Sequence, residues 1–190
     1  MKPLALDPHS PIAAPQRNAV EIRTNATYDA LMWALARPGT IHTLPEPGVE
    51  LIAETLIDRE CRVFSQDAAL LPVIAATGAT FGTADAADHA FLSLDGSAGL
   101  AALSVLPAGS LVYPDEGATV FANARLGEGH RLRLSGPGIE TTLEIAVGGL
   151  PDDVWAIRAA RCLYPTGFEL FLIDGDRVLG LPRSTTVEVL

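Results

Sequence analysis

The chain has 190 residues, 48% of them hydrophobic and 19% charged, and a formal net charge of −10. That length suits one domain able to bury about 70% of its unfolded surface, and the composition excludes general disorder. The acidic balance argues against nucleic acid or an anionic membrane as bulk partners, and an anionic small ligand would need a local arginine cluster.

Met1–Asn18 carries Pro3, Pro8, Pro11 and Pro15 and reads as a Pro-rich N-terminal arm ahead of one domain over residues 19–190. The arm lacks the unbroken apolar core of a signal peptide, and elsewhere no charge-free apolar run reaches about 18 residues, so a soluble, cytoplasmic protein is expected. Thr24 or Asn25 is placed to cap a helix running to Arg37, with Tyr28, Leu31, Met32 and Leu35 at i, i+3, i+4, i+7 spacing and Pro38-Gly39 as its stop. Thr40–Leu44 reads as a short strand, Val49–Ile57 as a helix, Arg62–Ser65 as a strand, and Asp67 as the cap of a helix to Thr77. Ala79–Gly82 and Ala90–Leu94 read as strands, and Ser97–Val105 as a small helix.

From Leu111 the character becomes β-rich. Ala118–Ala124 is a strand. His130–Ser135 alternates, with Leu132 and Leu134 inward and Arg131 and Arg133 outward. Gly136-Pro137-Gly138 turns the chain into Thr141–Ala146, and Asp152/Asp153 is set to cap a helix carrying Val154, Ile157, Ala160 and Arg161. Phe168–Ile173 and Val178–Leu181 flank Asp174-Gly175-Asp176 as a tight hairpin, Pro182 ends its second strand, and Val187–Val189 resumes the alternation. Strands interleaved with helices and closed by a hairpin imply an α/β layered domain with a mixed sheet.

Chemistry is constrained by the cations. Lys2 is the only lysine, which removes independent Schiff-base catalysis and the Gly-Lys-Ser/Thr phosphate loop, so no pyridoxal phosphate is expected. Cys61 and Cys162 have no C-x-x-C spacing, and His9, His42, His89 and His130 no i,i+4 pairing, so neither a metal site nor a disulfide framework is expected.

The strongest chemical feature is Arg183-Ser184-Thr185, one fixed cation and its hydroxyls immediately after a strand. It suits an oxyanion, because guanidinium bonds such oxygens in pairs. Equally, Arg183 can pair with a carboxylate while the hydroxyls cap a turn. Asp115 and Glu116 can orient a ribose hydroxyl, bind Mg²⁺ or act as acid and base, or form a solvated turn after Pro114. Alternation turns Glu169 to a solvent or interface face. Arg131 and Arg133 form either an anion or subunit patch or a solvated face. Trp33 and Trp155 read as core or interface anchors, and Arg37 as a cap on the carbonyls ending its helix.

Four blocks, in order, resemble the PhnH family of the bacterial carbon–phosphorus lyase system: Arg37-Pro38-Gly39-Thr40-Ile41, Tyr113–Thr119, Leu132–Ile139, and the tail from Tyr164-Pro165-Thr166-Gly167-Phe168-Glu169 to Leu181-Pro182-Arg183-Ser184-Thr185. Ser184 stands where that family more often has Thr. The resemblance implies a three-layer α/β/α fold with a mixed, about seven-stranded sheet, similar to pyridoxal-phosphate-dependent transferases but without the cofactor. It further implies a homodimer that joins PhnG, PhnI and PhnJ in a core converting ATP and an alkylphosphonate to α-D-ribose 1-alkylphosphonate 5-triphosphate and adenine. The chain lacks a three-cysteine cluster motif and so is not the radical subunit of that system. The resemblance supplies no catalytic residue. Two roles stay open: an assembly subunit, or a phosphonate- or nucleotide-binding subunit using Arg183, Ser184, Thr185, Asp115 and Glu116.

Overall fold

The structure, a computed structural model, describes residues 16–190, so the proposed arm lies outside it except for its last residues. In chain order the elements are helix α1 (Ala19–Ala36), strand β1 (Ile41–Thr43), α2 (Glu50–Leu56), β2 (Arg62–Ser65), α3 (Leu71–Thr77), β3 (Thr80–Phe81), β4 (His89–Leu92) and α4 (Ser97–Val105). They continue with β5 (Thr119–Asn123), β6 (Arg125–Ser135), β7 (Leu143–Gly148), α5 (Asp153–Arg161), β8 (Glu169–Asp174), β9 (Arg177–Leu181) and β10 (Thr186–Val189).

Helix α1 begins earlier than Thr24 and Asn25 predict. Asn18 accepts a hydrogen bond from the Glu21 amide at 2.9 Å, and the Glu21 carboxylate accepts one from the Asn18 amide at 2.9 Å, a reciprocal capping box. Thr24 and Asn25 lie within the helix and donate to the carbonyls of Val20 and Glu21 at 3.0 and 2.7 Å. The inward stripe also differs. Thr27, Ala30, Leu31 and Ala34 are buried, whereas Tyr28 and Met32 face outward. Close approach explains the rotation: a Cβ placed on Gly180 of β9 would lie 2.6 Å from the Ala34 carbonyl, so only small residues fit this face. Arg37 does not cap the helix carbonyls; its guanidinium stands over the Trp33 ring, 5.4 Å from the centroid, and Trp33 itself is exposed.

Seven strands form a mixed sheet in the order β1-β9-β8-β5-β4-β2-β3. From β8 to β3 all neighbours are parallel, while β9 is antiparallel to both β8 and β1. The β8–β9 hairpin forms where expected, with Asp174 opposite Arg177 and Gly175 at φ 63°, the first central position of its two-residue turn. The mixed sheet of about seven strands forms as expected, and three further strands, β6, β7 and β10, form a separate antiparallel sheet in the order β10-β6-β7. Its chemistry separates it. Leu132 and Leu134 are fully buried, whereas Arg131 and Arg133 pair outward with Glu144, and Arg133 also with Glu188. One wet face suits an antiparallel sheet, while β5 and β8 are buried on both faces.

Alternation along β5 and β8 divides the core. Val120, Ala122, Leu170 and Leu172 pack with Leu103 of α4, Trp155 of α5 and the inner face of the small sheet. Phe121, Phe171 and Ile173 pack on the other side with Leu31, Ile52 and Ile74 of α1, α2 and α3. On that side Phe91, Phe121 and Phe171 stand opposite one another on adjacent strands, with ring centroids 4.9 and 5.2 Å apart. Asp152 sits at the α5 N-cap but makes no side-chain cap; its carboxylate is 3.3 Å from His130 Nδ1. Among the described residues no helix is long and apolar enough to cross a membrane.

The α1–β9 contact makes Gly180 a sensitive position. Gly180→Ala is expected to lower unfolding stability by about 1–3 kcal/mol through overpacking, read as a lower urea midpoint at unchanged slope.

Candidate functional site

The residues nominated from sequence lie mainly at the N-terminal ends of β5 and β8. Pro182 ends β9, and the chain then crosses from the large sheet to the small one through Pro182–Thr185. Arg183 is held on both its backbone and its side chain by one carboxylate. Its amide donates to Glu169 Oε2 at 2.8 Å and its Nε lies 2.9 Å from Glu169 Oε1, while its Nη1 donates to the Pro114 carbonyl. Glu169 is therefore half-buried and paired, not turned to solvent or an interface as alternation implied. The neutralising carboxylate sits on the strand next to β9, out of reach of any local sequence pattern.

Arg158 anchors the same crossover, and sequence reasoning missed it. It sits on the inward face of α5 and is only 3% exposed. It donates to the carbonyls of Thr185 at 2.8 Å, Pro182 at 2.6 Å and Leu181 at 3.4 Å. These are backbone acceptors stranded where β9 stops, so a long cationic side chain completes the ladder that the proline interrupts. Burial pulls the Arg158 pKa below its ordinary value, while the negative charge of Glu169 acts in the opposite sense. Arg161, one turn further along α5, donates to the Leu106 carbonyl. The detectable signal was an Arg at an inward helical position, midway between Val154/Trp155 and Cys162.

Asp115 and Glu116 occupy a one-turn 3₁₀ segment, Pro114–Glu116, and both are exposed. They do not join the Arg183 cluster. Glu116 lines a separate cavity of about 510 Å³ with Arg62, Asp85 and Asp88. Arg183, Ser184 and Thr185 instead line a cavity of about 440 Å³ with Trp155, Arg158 and Cys162. The structure thus splits four of the five nominated residues between two concavities and leaves Asp115 in neither. Among the described residues, no group of three His, Cys, Asp or Glu side chains gathers as metal ligands.

A second concave region lies at the opposite ends of the parallel strands. The chain passes from β2 to β3 on one side and then to β4 on the other, so strand order reverses at β2. Carboxyl ends of strands at such a reversal are the usual ligand crevice of open α/β sheets. Here they carry Gln66, Ser93 and Asn123, around cavities of about 250 and 180 Å³. The Gln66 side chain accepts the Ser93 amide at 3.0 Å. Ser93 and Asn123 directly follow apolar runs and Gln66 follows Val63-Phe64 with one residue between, the one sequence signal that marks them.

The four sequence blocks meet in space. Gly117 approaches Gly167 so closely that a Cβ there would collide with its carbonyl, and the Gly167 amide donates to Ala108 at 2.7 Å. A Cβ on Gly136 would lie 2.6 Å from the Ser184 carbonyl, and one on Gly138 2.5 Å from that of Ala36. The shared glycines therefore mark backbone-to-backbone packing. His89, at the start of β4, lies near the same end; its Nδ1 is buried without a partner, and burial pulls its pKa below the ordinary 6.5.

Two outcomes follow. Arg158→Ala removes charge-assisted bonds to buried carbonyls and is expected to cost on the order of 3 kcal/mol in chemical denaturation. Since His89 is held neutral in the fold, its contribution is complete above pH 6.5 and declines as pH falls through the depressed folded value. Urea midpoints measured between pH 8 and about pH 5 should fall on the acid side less steeply in His89→Leu than in the parent chain.

Comparison with known proteins accounts for these blocks. The family described as "Bacterial phosphonate metabolism protein (PhnH)" matches residues 18–188. The chain is 33% identical over 187 residues to HtxG of Stutzerimonas stutzeri, a protein provisionally named as a C-P lyase subunit, covering 93% of this chain and 94% of the relative. It is 32% identical over 182 residues to the alpha-D-ribose 1-methylphosphonate 5-triphosphate synthase subunit PhnH of Rhizobium meliloti (strain 1021), covering 86% of this chain and 89% of that one. With this extent of match, the chain belongs to the PhnH family of bacterial phosphonate metabolism proteins.

Proposed function

We propose that this chain is the PhnH-type subunit of a carbon–phosphorus lyase assembly, the complex that makes ribose 1-alkylphosphonate 5-triphosphate from ATP and an alkylphosphonate. Its own part is assembly and support. The observation that carries this reading is the occupied state of Arg183: Glu169 and the Pro114 carbonyl take its donors, and the shared glycines around it serve close packing. A residue so engaged positions a surface more readily than it recruits a substrate. No nucleophile–base pair of the kind a transferase uses stands out among the described residues.

The proposal extends to a homodimer that joins PhnG, PhnI and PhnJ in the cytoplasm. Exposed apolar side chains at Leu111, Val112, Tyr113, Leu163 and Tyr164, on loops linked through the Gly167–Ala108 hydrogen bond, support a protein-binding role for this end of the molecule. The proposal also includes a three-layer α/β/α fold like that of pyridoxal-phosphate-dependent transferases, used here without pyridoxal phosphate. Its support is a mixed seven-stranded sheet with apolar clusters on both faces, together with a sequence whose only lysine is Lys2.

Arg183→Ala separates support from ligand binding. When co-expressed with PhnG, PhnI and PhnJ, the substituted chain is expected to co-purify poorly with them, and adenine release should fall only in proportion to the complex lost. A complex that assembles fully but no longer releases adenine from ATP and phosphonate would overturn the support reading.

A further inference from the structure

The most exposed large apolar side chain among the described residues is Leu111, at 78%, and Val112 beside it is 75% exposed. Both occupy the tip of a closed turn between α4 and β5. The Ser110 amide donates to the Tyr113 carbonyl at 3.0 Å, and the Tyr113 amide donates to Ser110 Oγ at 3.0 Å. Turn tips ordinarily hold Gly, Pro, Asn, Asp or Ser, which supply the backbone conformation or a local hydrogen bond. Leucine and valine supply neither, and at this exposure they gain nothing from the fold.

The loop is tied firmly at its base. Ala118 donates to the Pro107 carbonyl at 2.9 Å, Ala108 bridges Gly117, and a Cβ on Gly109 would lie 2.8 Å from the Pro114 carbonyl. A loop closed in this way presents its tip to a partner at little cost in ordering. Leu163 and Tyr164, 66% and 75% exposed, lie on the neighbouring loop, which the Gly167 amide joins to this one. Apolar surface gathered on adjoining loops marks a contact with another protein.

Charge identifies the occupant. On the flank of the same loop, Gly109, Ser110 and Glu116 join Arg62, Asp85 and Asp88 around a cavity of about 510 Å³. Its one arginine is paired with Asp88 at 3.2 Å, which leaves Asp85, Glu116 and the adjacent Asp115 without a cation among the described residues. A second copy of this chain fits poorly here. A two-fold contact through the turn would set one acidic rim against the other, in a protein whose net charge is already −10.

We propose that the Ser110–Tyr113 turn docks into an apolar hollow on a companion protein, whose bordering arginine or lysine side chains meet the cavity of Asp85 and Glu116. That companion is taken to be another subunit of the assembly, so this docking surface rests on the support role proposed above. A homodimer would use a different face.

Both halves of the surface can be changed without touching the core. Leu111→Ser/Val112→Ser removes the apolar tip and installs turn-forming residues, and Asp85→Arg/Glu116→Arg reverses the charge of the cavity. Each tagged full-length chain is co-expressed with PhnG, PhnI and PhnJ, and the companions retained on it are measured in washes from about 0.05 to 0.5 M salt. Retention by the parent chain is expected to fall as salt rises, and the tip variant should retain about tenfold less throughout. The charge-reversed variant should retain about tenfold less in low salt, with the salt dependence lost or inverted. Thermal stability and dimer content of both variants should match the parent. If the parent retains its companions and either variant retains them equally well, or if salt leaves parental retention unchanged, this surface is overturned while the support role stands. Failure of the parent chain to retain any companion overturns both. Loss of dimers in the tip variant, with companions still bound, assigns the turn to a second copy and likewise overturns the proposal.

Discussion

The architecture turns on one buried cation. Arg158 lies inside the protein with no carboxylate in contact among the described residues and spends its terminal nitrogens on the carbonyls of Leu181, Pro182 and Thr185. The chain leaves the seven-stranded sheet and enters the three-stranded one at two short stretches, Ala124 between β5 and β6 and the crossover to which those carbonyls belong. A proline there cannot donate to a ladder, so the crossover cannot be held by backbone pairing alone. The guanidinium supplies the missing donors from the far side, and Glu169 fixes the next residue by its amide and its side chain. Placement of α5, β8, β9 and β10 is settled together by these two side chains.

This arrangement gives the family pattern a physical meaning. Pro182-Arg183 is recognisable in sequence because its geometry is tightly prescribed: one carboxylate, one carbonyl and two glycine-lined approaches must all fit around it. Such a constraint preserves wording without implying chemistry. The acidic pair Asp115-Glu116 illustrates the opposite case. It lies between the prescribed Pro114 and Gly117, yet both residues are exposed, and Glu116 lines a cavity that does not include Arg183.

Periodicity and punctuation made most of the fold legible. The bounds of β2 and α4 follow from Arg62–Ser65 and Ser97–Val105 directly, and the hairpin from Asp174-Gly175-Asp176. What stayed hidden depended on partners distant in sequence. Asn18 caps α1, but Thr24 and Asn25 have the same capping chemistry and stand nearer the apolar stripe, so local preference could not choose between them. Tyr28 and Met32 were read as inward because size was equated with burial, whereas the Gly180 backbone admits only alanine-sized neighbours. Alternation implied a solvent or interface face for Glu169 and could not supply the arginine that pairs with it. Membership of β6, β7 and β10 in a second sheet was hidden because pairing, unlike strand formation, is not a local property. Of the candidate site, the cations Arg183 and its hydroxyl neighbours were visible, while Arg158 and Trp155 required the helix to be docked first.

The position of β1 sets the timetable of folding on the ribosome. Its ladder partner is β9, so residues 41–43 have no strand to pair with until residues 177–181 have been made. Helix α1 rests on that same β9 strand through Ala34 and Gly180, and β6 likewise awaits β10 along one edge. Most of the nascent chain must therefore emerge with its earliest elements unpaired, and the sheet closes in a late step when the terminal hairpin slots between β1 and β5. Long-range closure of this kind is slow and leaves strand edges bare in the interim.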